Sequence, residues 1–238
     1  MLKKITYITL IIFFIFSCKK DDKISDIKNI DYSYYPLKTG NYIIYDVTEI
    51  NIDKAIGIYD TTKYQLKEYV ESKFTGSNGK TQYRIERYKR KNDTIPWTIS
   101  DVWAIYFLDN KLVKVEENIP IIKINFPVKK DKSWDGNKLN TLDSTLFTIT
   151  DINIPDTVNS ICFDSVLTVT ISDNESLINK KLIYNKYAKN IGLIYKVNID
   201  INSQPDNGNP IDITIPIEER ITTGTIYKQK IISYNVLP

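Results

Sequence analysis

The chain of 238 residues contains no histidine. That absence removes the usual general base near neutral pH, the Ser-His-Asp and Cys-His nucleophile arrangements, and the commonest zinc ligand. Cysteine is nearly absent too. Cys18 and Cys162 are the two present, so once Cys18 is committed elsewhere no intramolecular disulfide remains. With 8 glycines, the chain has no phosphate-cradling loop, no Walker-type sequence and no Cys-x-x-Cys pair. A one-sided charge is also missing. Taking Lys3 and Lys4 of the leader from the 32 basic residues leaves 30 against 29 acidic ones, so no electrostatic preference for nucleic acid follows. Lys89-Arg90-Lys91 and Lys129-Lys130 are small basic clusters, read as solvated strand ends.

What is present begins at the N-terminus. Lys3 and Lys4 precede an apolar run from Ile5 to Phe16, followed by small Ser17 and then Cys18. The run is shorter than the roughly 20 residues a membrane-spanning helix needs, and its layout is that of a secretory leader over residues 1–17. Polar residues 18–30 read as a tether, able to reach roughly 40 Å when extended. Residues 31–238 are expected to form a single domain.

Ile15-Phe16-Ser17-Cys18 resembles the lipobox of bacterial lipoproteins. The resemblance implies cleavage before Cys18, acylation of its thiol by chains such as palmitate, and anchoring to a membrane through lipid. The alternative is an ordinary cleaved signal with an incidental cysteine. Lys20, Asp21 and Asp22, close behind Cys18, resemble the export signal that carries Bacteroidetes lipoproteins to the outer face of the outer membrane. The periplasmic face, with these residues serving only as a charged linker, is the alternative.

The remainder reads as strands. Alternation is clear in Ile122, Ile124, Phe126, Val128; in Leu167, Val169, Ile171; in Leu193 to Ile201; and in Ile211, Ile213, Ile215, Ile217. Lys123, Asn125, Lys196, Asn198 and Asp200 fall between them and are expected on a solvent face. Ser203 to Pro210 is expected to be a hairpin loop between two of these strands, and 175–188 favours strand over helix. The expected fold class is all-β: antiparallel strands in a curved sheet, half-barrel or sandwich, with little or no helix beyond the leader.

Three stretches are similar to counterparts in a group of uncharacterised Bacteroidetes lipoproteins. They are Tyr35-Pro36-Leu37-Lys38-Thr39-Gly40-Asn41-Tyr42 with Tyr45 behind it, Phe126-Pro127 with Ser133-Trp134-Asp135-Gly136-Asn137, and Tyr187-Ala188-Lys189-Asn190-Ile191-Gly192-Leu193-Ile194-Tyr195. That resemblance implies a lipoprotein with an antiparallel β fold and no catalytic assignment.

Candidate chemistry is sparse. Glu116-Glu117 and Glu218-Glu219 offer carboxylates, but neighbours on a strand face opposite ways and cannot act together. Asp206-Asn207 and Asp173-Asn174-Glu175 lack the spacing of a calcium loop, so no metal or cofactor is expected. Cys162, between Ile161 and Phe163, is expected to be buried and inert. Tyrosine occurs 17 times, and Trp97 and Trp134 fall where strand-end platforms for sugars or peptides occur. Thr61, Thr94, Ser144, Thr157 and Ser165 each follow an aspartate in a pattern resembling the Bacteroidetes O-glycosylation sequon. The expectation is a non-enzymatic binding or accessory lipoprotein. Its alternatives are a carrier of an apolar ligand in a curved half-barrel and a carboxylate-dependent hydrolase.

Overall fold

The computed structural model describes residues 31–76, 79–205 and 210–236. The leader, Cys18, the export residues Lys20, Asp21 and Asp22, and the tether lie outside the described residues. Twelve strands follow one another: β1 (Tyr42–Asp53), β2 (Ile58–Thr75), β3 (Thr81–Arg90), β4 (Thr98–Leu108), β5 (Lys111–Glu116), β6 (Ile119–Asn125), β7 (Ser133–Asp135), β8 (Leu146–Val158), β9 (Ile161–Glu175), β10 (Asn179–Ala188), β11 (Gly192–Asn202) and β12 (Thr223–Asn235). They form one antiparallel sheet in the order β6-β5-β4-β3-β2-β1-β12-β11-β10-β9-β8-β7, so β12 returns to pair with β1. The expected all-β antiparallel class is therefore what the chain adopts, and 175–188 is strand from Asn179 onward. No helix among the described residues is long and apolar enough to cross a membrane.

The sheet curls until its two edges meet, giving a nearly closed barrel. Ile122 on β6 donates its N–H to the Gly136 carbonyl just beyond β7 at 2.9 Å, and Trp134 Nε1 donates to the Ile122 carbonyl at 2.9 Å. Asn140 Nδ2 donates to the Pro120 carbonyl at 2.9 Å. These bonds satisfy edge groups that would otherwise be open for pairing. Gly136 is required at this seam because a Cβ there would lie 2.1 Å from the buried Phe147 ring.

One barrel end is plugged by the segment before β1. Tyr34 is fully buried and its hydroxyl donates to Asn153 Oδ1 at 2.7 Å. Tyr32 packs edge-on against Phe126, Tyr35 lies 6.1 Å from the Tyr187 ring, and Asn190 donates to the Ser33 carbonyl at 2.7 Å. The three sequence stretches similar to lipoprotein counterparts thus form the plug and the seam, which are folding roles.

Several expectations are corrected. Residues 211–217 form no strand: the chain there is irregular, ending in a single 3-10 turn at Ile217–Glu219. Pro210 and Pro216 cannot donate to a ladder. The segment instead lies over the outer wall, where Ile217 and Ile221 are buried against Ile52, Val197, Ile199 and Ile201. Arg220 holds it there by donating to the carbonyls of Ile215 and Leu177 at 2.8 and 2.6 Å. Residues 203–210 therefore do not join two strands, although 206–209, including the Asp206-Asn207 pair, lie outside the described residues. Cys162 is exposed rather than buried, because alternation at the start of β9 turns Ile161 and Phe163 inward and the thiol outward.

Candidate functional site

Two places concentrate chemistry: the barrel interior and a groove at its rim. Inside, six side chains form an unbroken alternation of charge. Asp101 Oδ2 accepts from Arg87 Nη1 at 3.0 Å, and Glu68 Oε1 accepts from Arg87 Nε at 3.1 Å. Lys114 Nζ lies 3.0 Å from both Glu68 oxygens and 3.8 Å from Glu116 Oε1, and Lys123 Nζ reaches Glu116 Oε2 at 3.0 Å. Three acids and three bases close on one another. Trp103 lies beneath them, with the Arg87 guanidinium 3.7 Å and Lys114 Nζ 4.6 Å from its ring centroid.

The register explains this convergence. Glu68 is opposite Arg87 across β2 and β3, while β5 and β6 bring Lys114, Glu116 and Lys123 round the curl. On the other wall, Lys196 sits between its register partners Asn185 and Gln229. Lys123 and Lys196, expected on a solvent face, line the interior instead. Alternation separates two faces but does not say which is wet, and here β11's other face is covered by Ile217 and Ile221.

Electrostatics follow from burial and pairing. Burial opposes ionisation of Glu68, but Lys114 and Arg87 outweigh it and hold its carboxyl below the ordinary range. Glu116 is likewise opposed by burial, yet Lys123 and Lys114 draw it down to about 2. Burial pulls Lys196 down to about 8, only partly countered by Glu116. The Tyr35 and Tyr187 hydroxyls are pushed upward by burial and remain protonated donors. The space left among these groups is about 30 Å³.

The second place is a pair of adjoining open grooves of about 530 and 580 Å³ that share Lys63, Tyr64 and Lys91. Their walls carry the bases Lys63, Lys89, Arg90, Lys91, Lys228 and Lys230 against the acids Asp46 and Asp93, and Asp93 is paired with Arg90. Aromatic rings are interleaved. Lys89 Nζ lies 5.1 Å from the Tyr64 ring centroid, Arg90 4.3 Å from that of Trp97, and Lys67 stands over both Tyr88 and Trp97. Lys89-Arg90-Lys91 is legible in the sequence as a cluster; its enlargement by β12 and β2 is not, since those lysines are distant along the chain.

The remaining candidate residues fall as follows. Thr61, Thr94, Ser144 and Thr157 are exposed, whereas Ser165 is half-buried and donates to Asn153 Oδ1 at 2.7 Å. Thr61 lines the rim groove. Trp134 is buried at the seam and offers no platform, and Trp97 precedes β4 with a cation over its ring. Glu117 leaves β5 in a turn and accepts from Trp103 Nε1 at 3.2 Å. Glu218-Glu219 lie in the 3-10 turn rather than on a strand. Among the described residues no three His, Cys, Asp or Glu side chains are grouped to hold a metal ion.

No protein-family model matches the chain, and no curated protein does. Among solved structures it is similar to a protein described as a "putative lipoprotein" from Parabacteroides distasonis. The two are 12% identical, over 85% of this chain and 98% of that one, with a TM-score of 0.38. At that score the likeness carries no argument about function.

Proposed function

We propose that this protein is a non-enzymatic binding module, held to the outer membrane by lipid on Cys18 and displayed outward, that takes an acidic glycan in the rim groove. The observation that carries the reading is the groove itself: six bases against two acids, with tyrosine between them. Lys63 and Lys91 make no ion pair among the described residues, so their charge is open to a ligand. Thr61, Thr62 and Thr98 add hydroxyls, and Ile95 and Pro96 an apolar wall, a mixture suited to sugar rings bearing carboxylate or sulfate.

The alternatives have less support. A carrier needs several hundred Å³ for an apolar ligand, and this interior is filled by charged side chains that leave about 30 Å³ among them. A hydrolase needs one carboxyl that stays protonated, whereas Glu68 and Glu116 are both ion-paired and driven toward the charged form.

The test is calorimetric titration with uronate-rich or sulfated oligosaccharides, neutral oligosaccharides and single-stranded DNA, using protein whose intact mass shows no sugar on Thr61. Salt-sensitive binding of the acidic sugars, weakened at least about tenfold by Lys63→Glu with Lys91→Glu, supports the reading. Indifference to charge reversal, or equal affinity for DNA, overturns it.

A further inference from the structure

The interior network is neutral without Lys196. Asp101, Glu68 and Glu116 match Arg87, Lys114 and Lys123 one for one through contacts of 3.8 Å or less. Lys196 is a seventh charge, and among the described residues its ammonium makes no hydrogen bond or ion pair; it stands 5.5 Å from the Tyr227 ring centroid and in the field of Glu116. Beside it, Gln229 is 2% exposed. Its Oε1 accepts from the Tyr227 hydroxyl at 2.6 Å, which orients the amide, and its Nε2 is buried with no partner. Both residues line the space of about 30 Å³, which exceeds the roughly 10–15 Å³ one water needs on that measure.

A cavity with an uncompensated cation and an unpaired amide donor is set for a negative charge. Water would satisfy the amide but leave the ammonium without a counter-charge in a low-dielectric interior. We propose that this cavity is a site for one small monovalent anion of chloride size, held between Lys196 Nζ and Gln229 Nε2. The small space suits a single compact anion, and the tyrosines Tyr35 and Tyr187 wall it with protonated hydroxyls. The groups facing Lys196 are Asn185, Tyr187, Gln229 and Tyr227 from the neighbouring strands, and Glu116, Lys123, Lys114 and Glu68 from across the barrel. With the six paired charges already balanced, an anion beside Lys196 completes the neutralisation.

Chloride-35 NMR linewidth on the folded protein, at constant ionic strength with gluconate as the balancing ion, measures occupancy. The expected result is a saturable excess linewidth, displaced by bromide and unaffected by sulfate. Lys196→Met and Gln229→Glu should each weaken it at least about tenfold, the factor for one lost charge-assisted hydrogen bond. Gln229→Glu supplies an internal partner for Lys196, so it keeps the test valid if Lys196→Met does not fold. Bromide-soaked crystals should show an anomalous peak between the two side chains. A saturable linewidth unchanged in both variants, or a cavity filled by water in bromide, overturns the assignment.

Discussion

Lys114 Nζ stands 3.0 Å from each oxygen of Glu68, although their strands, β5 and β2, are separated by β4 and β3. The contact spans the barrel interior rather than a ladder, and both side chains are nearly withdrawn from solvent, at 7% and 8% exposure. Removing one partner leaves a buried charge, which is worse than removing both.

Lys114→Met is therefore expected to lower unfolding free energy by about 3 kcal/mol, the lower end for a broken buried pair because Arg87 still serves Glu68. Glu68→Leu combined with Lys114→Met should cost clearly less than the sum of the single changes. Urea unfolding of the four proteins of this cycle checks the coupling.

Glu116 sets an acid limit. Its folded carboxyl titrates near 2 against 4.5 when free, so its contribution is complete above about pH 4.5 and is lost as pH falls toward 2. The difference is on the order of 3 kcal/mol. Glu116→Gln should flatten this part of the stability-pH curve relative to wild type; parallel curves would show that the Lys123 and Lys114 contacts do not bias the proton.

Lys196 gives a slope of the same sign at the alkaline end. Its folded value near 8 lies below the free 10.5, so between those values the unfolded chain holds more protons and stability rises with pH. In chloride-free buffer the wild-type curve minus the Lys196→Met curve should climb between pH 8 and about 10.5, by up to about 3 kcal/mol. Added chloride should delay that climb, since a bound anion favours the ammonium.

The fold class is legible in the sequence because β-branched and aromatic residues alternate through most of the chain, as in Leu193 to Ile201. Closure is not, because it depends on Gly136, Trp134 and Ile122 meeting across a long separation in the strand order. The charged interior is hidden by the same alternation that reveals the strands: a lysine between isoleucines reads as solvent-facing. A signal is available in Leu112-Val113-Lys114-Val115, where apolar residues occupy both faces and one lysine interrupts them. Ile211 to Ile217 misleads for the converse reason: the segment has no ladder partner, Ile213 and Ile215 are exposed, and of the four isoleucines only Ile217 is buried against the outer wall.

Gly224 marks where β12 passes under the outer-wall cluster. Its φ of 138°, and the Asp200 carbonyl oxygen 2.3 Å from where a Cβ would sit, leave no room for any side chain. Gly224→Ala should destabilise by more than about 2 kcal/mol, through strain and displacement of backbone. Gly136→Ala, which meets the Phe147 ring instead, should cost about 1–3 kcal/mol. Thermal unfolding ranks the two, and a smaller loss at Gly224 would contradict the tight register between β11 and β12.

Anchoring makes a prediction separable from ligand binding. If Cys18 carries two or three acyl chains, each buried methylene adds roughly 0.8 kcal/mol, and the protein should pellet with membranes and gain acyl mass. Cys18→Ala should release it. Replacement of Lys20, Asp21 and Asp22 by alanine should leave the acyl mass intact while protecting the protein from protease added to whole cells. Charge reversal at Lys63 and Lys91 should change neither result, because the rim groove contributes nothing to the lipid anchor. Wild-type protein that carries acyl mass yet resists shaving would place it on the periplasmic face and direct the ligand search to acidic polymers there.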